Sequence, residues 1–202
     1  MLQRRLLLPA AFFPAVLAAC EALGQANITP DPHPRLPPQP GQGLPIEDVR
    51  FLRRAVRLSE AQAEAGRLAA ERAASPEVRR LGAAVAEEQA ELRRKLENLA
   101  KARGVNLQQA DAAAGTPADQ SLAALRQASG DDVDRRFLAR QLGLYTQQAR
   151  MYQTEASNTP DAELSQVAIA ALASLRAHFQ TARQLGAPYG LRADTVEAPP
   201  QY

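Results

Sequence analysis

From residue 46 onward, apolar residues recur at intervals of three and four, the spacing that places them on one face of an α-helix. The clearest stripes are those of Val78, Leu81, Val85, Leu92, Leu96 and Leu99, of Phe137, Leu138, Gln141, Leu144, Tyr145, Met151 and Tyr152, and of Leu164, Val167, Ala171, Leu172, Leu175, Phe179, Ala182 and Leu185. Aromatic residues make up only 4% of the chain. The pattern therefore predicts an all-α protein.

Helix-starting and helix-ending residues divide these stripes. Ser75-Pro76, Thr116-Pro117 and Thr159-Pro160 each combine a hydroxyl N-cap with proline at the first helical position. Gly104 and Gly186 stand where helices are commonly closed by glycine. The predicted helices cover 46–74, 76–103, 117–128, 131–158 and 160–185. Four are long, and the short one lies in the crossover connection. We therefore expect a ferritin-like up-down four-helix bundle over 46–186.

The first twenty residues have the layout of a bacterial export signal. Arg4 and Arg5 precede an apolar run from Leu6 to Ala19, which is shorter than the roughly twenty residues of a membrane span. The run ends in Leu17-Ala18-Ala19-Cys20, which resembles the lipobox of bacterial lipoproteins. Cys20 is the only cysteine of the chain and so has no disulfide partner within it. We expect cleavage after residue 19 and lipidation of Cys20.

Proline-rich segments flank the predicted bundle. Seven prolines lie between residues 20 and 45, a composition that favours an extended spacer over a packed core. The predicted organisation is a signal peptide over 1–19, a lipidated cysteine and tether over 20–45, the bundle over 46–186 and a flexible tail over 187–202. The resemblance to lipoproteins implies a periplasmic protein anchored in the membrane. Glu21, after the lipidated cysteine, favours the outer membrane.

The net charge changes once the leader is set aside. The chain has 24 basic and 22 acidic residues, and the excess of two equals Arg4 and Arg5 of the leader, which has no acid. The mature protein is therefore neutral by count, which argues against a nucleic-acid partner. Pairs such as Arg79-Arg80 lie among acidic residues and are most simply solvated helix faces.

Several short motifs, in order, resemble the DUF4142 family of bacterial envelope proteins, which has a ferritin-like fold and unknown function. They are Phe51-Leu52, Ala63-Glu64 with Gly66 and Leu68-Ala69, Ser75-Pro76-Glu77-Val78, Lys101-Ala102-Arg103-Gly104-Val105, Leu125 with Ser129-Gly130 and Asp134, and Leu172 with Leu175-Arg176 and His178-Phe179. The resemblance runs from residue 51 to residue 185.

The resemblance also indicates a polar site at mid-bundle. It implies histidines midway along the second and fourth helices, but Gln89, after Glu88, and Tyr145 occupy those positions here. His178 on the last helix remains. The polar pair Glu88-Gln89 also interrupts the apolar stripe of the second helix. The predicted mid-bundle cluster is Glu64, Glu88, Gln89, Tyr145 and His178.

Two chemistries are open for this cluster. A transition-metal site would rest on Glu64, Glu88 and His178, a small donor set without the Glu-x-x-His motif of di-iron proteins. The alternative is that His178 is a core histidine bonded to Gln89, Tyr145 or Glu88. No activated nucleophile and no phosphate-binding loop is evident. We therefore expect a protein without catalytic activity or cofactor, which contacts the membrane through Cys20 and an envelope partner or a second copy of itself. A metal-binding or redox bundle is the alternative function.

Overall fold

The computed structural model describes residues 43–108 and 117–191, and the predictions for the leader, Cys20 and the tether before residue 43 lie outside this range. The described residues form five α-helices and a 3₁₀ turn, without a strand element. These elements are α1 (Ile46–Arg72), α2 (Pro76–Ala102), α3 (Pro117–Arg126), α4 (Asp131–Asn158), α5 (Ala162–Gly186) and the turn Ala187–Tyr189. The all-α prediction is confirmed, with boundaries within two residues of the predicted ones at nearly every end.

The four long helices surround one core. α1 packs against α2 and α4, and α5 packs against α2 and α4. The apolar stripe predicted for α2 is buried along its whole length, and so are most of those of α4 and α5. The core is completed by the small residues of α1, among them Ala55, Ala65 and Ala69. These small side chains allow α1 to pack closely against its neighbours.

Two sets of polar contacts show which helix ends lie next to each other. Asp134, at the start of α4, accepts from the backbone N–H groups of Ala74 and Ser75 in the α1–α2 turn, at 2.9 Å each. Arg103, just after α2, bonds to Asp161 before α5 at 2.6 Å. The chain thus leaves α2 at one end of the helix group and enters α4 at the other, and α3 lies in this long connection.

Two helix boundaries differ from prediction. Thr159 is the residue after α4 rather than an N-cap; it donates to Asp48 at 2.6 Å, and the N-cap of α5 is Asp161. The carboxylate of Asp161 accepts from two N–H groups of the first turn, which satisfies donors that have no partner within the helix.

The predicted closure of α5 at Gly186 also differs. Gly186 does not adopt the left-handed conformation. The left-handed residue is Gly190, which follows the 3₁₀ turn and has φ +73°. The cap predicted at Thr116 lies outside the described residues.

Packing against the bundle continues past the predicted boundary at 186. The 3₁₀ turn brings Tyr189 to Asp134, to which its phenol donates at 2.7 Å, and Leu191 packs against the core. Residues 187–191 are therefore part of the folded domain.

α4 carries a buried polar residue every seven positions. Asp134, Gln141, Gln148 and Glu155 are each no more than 6% exposed. A seven-residue interval keeps them on one face of the helix, beside the apolar stripe. Only Gln141 was among the core positions predicted from the sequence.

Candidate functional site

The strongest candidate site lies between α2 and α5. A cleft of about 350 Å³ opens there, a volume within the range of small-ligand sites. Its apolar wall consists of Leu92, Val167, Ala170 and Ala171. Its polar side chains are those of Glu88, Gln89, Glu91, Lys95, Glu163, Gln166 and Ser174.

Glu88 is the centre of the polar contacts at this cleft. The hydroxyl of Ser174 donates to its Oε2 atom at 2.5 Å, and the Nε2 atom of His178 lies 3.3 Å from the same oxygen. Ser174 and His178 are four residues apart on α5, so both point from one face of that helix towards α2. The result is a carboxylate held by α5 at the wall of the cleft.

His178 lies beneath this wall. It is 6% exposed, whereas the Glu88 side chain is 45% exposed. Its Nε2 atom is within ion-pair distance of Glu88 but has no hydrogen-bond partner of suitable geometry. Of the three partners considered from the sequence, Glu88 is the one within ion-pair distance of His178.

The structure places the other residues of the predicted cluster in different surroundings. Gln89 lines the cleft and is 8% exposed. Tyr145 stacks on Phe179, with ring centroids 4.1 Å apart and an interplanar angle of 20°, and so belongs to the core beside His178.

Glu64 belongs to a different cluster. Both of its oxygens accept from Arg126 of α3, at 2.7 and 2.9 Å, and the hydrogen bond from Arg126 lowers the pKa of Glu64 despite the opposing effect of burial. The grouping of Glu64 with Glu88 and His178 as metal ligands is therefore wrong. Across residues 43–108 and 117–191, no three His, Cys, Asp or Glu side chains are grouped as a metal site would require.

A buried arginine lies near Glu64. Arg140 is 3% exposed and donates to Gln62 and to the carbonyl of Ala118, at 3.0 and 2.5 Å, and to Ser121. Burial lowers the pKa of Arg140 to about 10, although its guanidinium remains charged at neutral pH. This residue ties α3 to α1 and α4. Nothing in the sequence indicated that Arg140 is buried, because arginine side chains are mostly exposed.

Sequence reasoning missed Ser174, Lys95 and Glu163 as residues of the cleft. The spacing of Ser174 and His178 was a usable signal, since residues four apart share a helix face. The position of Glu163 opposite Lys95 depends on how α5 is aligned against α2, which local spacing does not reveal.

A family model covers most of the described domain. The model of the family described as "Domain of unknown function (DUF4142)" matches residues 34–185, about three quarters of the chain. This chain belongs to that family. No curated protein and no solved structure matches it. Within the described residues, no helix has the length and apolar character needed to cross a membrane.

Proposed function

We propose that this DUF4142 protein is a non-catalytic, lipid-anchored component of the bacterial envelope, held at the periplasmic side of the outer membrane through Cys20. The observation that carries the proposal is the sequence Leu17-Ala18-Ala19-Cys20 directly after an apolar run with a basic start. A diacylated or triacylated cysteine gives stable anchoring where a single acyl chain does not. Its bundle is ferritin-like, because one long crossover joins two antiparallel helix pairs.

Acyl labelling tests the anchor. Cells that express the full chain are fed a clickable palmitate analogue, and membranes are separated from soluble proteins. The wild-type chain should carry the label and sediment with the outer membrane. Cys20→Ala should lose the label. An unlabelled wild-type chain in the soluble fraction would show the anchoring proposal to be wrong.

The role of the bundle in this proposal is interaction, and its contact site is the cleft between α2 and α5. Three carboxylates line it: Glu91 is paired with Lys95 at 2.7 Å and Glu163 with Arg103 at 3.1 Å, which leaves Glu88 as the one without a lysine or arginine partner among described residues. Beside them lies an apolar wall. A surface of this kind complements a segment of an envelope protein that presents one basic and one apolar side chain.

Photo-crosslinking tests the cleft. A photoreactive residue at Ala170, which is exposed and lines the cleft, should capture a defined partner in intact envelopes. The same residue at Ala123, exposed on α3, is the control and should not. Glu88→Lys should reduce capture at least fivefold, as expected for a like charge opposite a basic group. Equal capture from both positions would exclude the cleft as the contact site.

The metal-binding alternative rests on one observation, the 3.3 Å approach of His178 to Glu88. Metal analysis of protein purified without chelators distinguishes the two functions. Stoichiometric copper, iron or manganese that is lost in His178→Gln would favour the metal-binding bundle over the interaction role.

A further inference from the structure

The first half of α1 carries four arginines between Asp48 and Glu60. Residues 49–59 contain Arg50, Arg53, Arg54 and Arg57 and no acidic residue. Arg50, Arg54 and Arg57 are exposed, and their spacing of four and three residues places them on one face of the helix. We call these three residues the arginine face.

Few acidic side chains among the described residues lie close enough to neutralise the charge of the arginine face. Arg50 lies 3.8 Å from Glu47, a pair of which both side chains are more than 60% exposed, and such pairs contribute little. Arg54 and Arg57 have no hydrogen bond or ion pair to any residue that the structure describes. Glu60, one turn further along, is bonded to Arg93 of α2 at 3.1 Å.

The neighbouring helices add no free acid at this end. The second half of α4 has one acidic residue, Glu155, which is buried. On the α2 side, Glu97 is paired with Arg93 at 3.3 Å. Asp161 and Glu163, at the start of α5, are both bonded to Arg103. The arginine face therefore keeps its positive charge.

An exposed isoleucine stands on the same face. Ile46 is 54% exposed and lies four residues before Arg50, at the first position of α1. Among described residues, it and Ile169 are the two large hydrophobic side chains classed as exposed. An exposed apolar side chain can enter the interfacial region of a bilayer while neighbouring arginines, whose stems are apolar, place their charged heads among the lipid head groups.

We propose that the arginine face and Ile46 form a docking surface for a bilayer containing anionic phospholipids. This inference rests in part on the proposed anchor. Only 25 residues separate Cys20 from Ile46, so the start of α1 stays within roughly 90 Å of the lipid attachment point. Such a tether raises the local concentration of the surface enough for a weak site to be occupied.

Docking holds the domain in one orientation, with the exposed side of α1 that carries the arginine face turned towards the membrane. The cleft between α2 and α5 lies on the helices packed across the bundle from α1 and α4, and α5 makes no extensive contact with α1. A membrane-docked domain therefore keeps its cleft accessible to a partner in the periplasm.

Vesicle binding of the unlipidated chain tests the surface apart from the anchor. The probe is the mature chain, residues 20–202 with Cys20→Ser, which contains every described residue. It should sediment with phosphatidylglycerol-containing vesicles and not with pure phosphatidylcholine, and lose this binding between about 0.05 M and 0.5 M salt. Arg50→Gln/Arg54→Gln/Arg57→Gln should weaken binding at least tenfold, since each arginine near an anionic surface contributes about fivefold.

The matched control removes the same charge elsewhere. Arg135, Arg176 and Arg183 are exposed and have no partner among described residues, so their triple change to Gln should weaken binding less than threefold. Equal losses for the two triple variants would overturn the proposal in favour of a general charge effect. Absence of wild-type binding would overturn it too.

Fluorescence tests the orientation. The chain contains no tryptophan, so Ile46→Trp introduces a single reporter. Its emission should shift to the blue on anionic vesicles, whereas Ile169→Trp, the other exposed isoleucine, should not shift. The reverse result would overturn the proposed surface. A positive vesicle result with an unlabelled Cys20 in cells would disprove the anchor alone, and a labelled Cys20 without vesicle binding would disprove the arginine face alone.

Discussion

Gly66 of α1 and Gly82 of α2 lie against each other where the two helices pack. A Cβ atom added to Gly66 would come within 2.6 Å of the carbonyl oxygen of Gly82, and one added to Gly82 within 2.8 Å of that of Gly66. Those atoms belong to backbone and cannot rotate away. Glycine at both positions thus sets the distance between α1 and α2, the pair with the most extensive contact in the fold.

We predict that Gly82→Ala destabilises the protein by about 1–3 kcal/mol, the usual result of forcing extra volume into a packed interface. Urea unfolding followed by far-UV circular dichroism measures the change. Gly143→Ala is the control. It lies in α4 with nothing within 4 Å of its added Cβ, so it should stabilise by about 0.5–1 kcal/mol through helix propensity. Similar effects of the two substitutions would contradict the role of the glycine contact.

We predict that Asp134→Ala costs about 3 kcal/mol of stability. The carboxylate is fully buried and accepts from two backbone N–H groups and the Tyr189 phenol. An intramolecular hydrogen bond contributes about 0.5–1.5 kcal/mol net, so three bonds together contribute about 3 kcal/mol. Denaturant unfolding is the measurement. Tyr189→Phe, which removes only one of the three bonds, should cost about 1 kcal/mol. A larger loss for Tyr189→Phe than for Asp134→Ala would refute this account.

We predict that Tyr189 ionises far above its ordinary range. Its hydrogen bond to Asp134, together with burial and the nearby negative charge, raises its pKa to about 12. Because the folded pKa is raised, the contribution to stability is complete below pH 10 and is lost as the pH rises to about 12. The tyrosinate absorbance of the wild type minus that of Tyr189→Phe gives this titration. Asp134→Asn should bring the pKa of Tyr189 down, while that of Tyr152, raised to about 12 by burial, stays unchanged.

We predict that Arg103→Gln moves acid unfolding to higher pH. Burial raises the pKa of Asp161, but the bonds from Arg103 and from two N–H groups outweigh it, so the pKa is lowered overall. A lowered pKa gives stability that is present above the ordinary value of 3.8 and is lost as the pH falls through the folded value. The acid midpoint, followed by circular dichroism, should rise in Arg103→Gln. Arg80→Gln, which breaks the exposed pair with Glu77, should leave it unchanged. An unchanged midpoint in Arg103→Gln would contradict the coupling.

Most helix boundaries could be predicted because the signals for them are local. Ser75 caps α2 as expected, with its hydroxyl accepting from Glu77 and Val78. The exception at Thr159 shows the limit of such signals. A hydroxyl before a proline fits an N-cap, but the hydroxyl of Thr159 instead donates to Asp48, 111 residues earlier, and a better cap follows at Asp161.

The candidate site was predictable only in part. The interrupted stripe of α2 indicated Glu88 and Gln89, and the resemblance to the family indicated His178. Ser174 joins them from a position 86 residues away from Glu88, and Glu64 pairs with Arg126 instead. Both contacts depend on how the helices are aligned.

The sequence by itself determined the helices, their apolar faces and the family, and it predicts lipid attachment at Cys20, because periodicity, caps and signal motifs act between residues close in the chain. The tertiary structure alone decided which polar groups meet. It paired Asp134 with the α1–α2 turn and Tyr189, brought His178 to Glu88 and, within the described part of the chain, left Arg54 and Arg57 without acidic partners. The physical reason is that such contacts require two helix surfaces to be aligned within a few ångströms, and packing across the core sets that alignment.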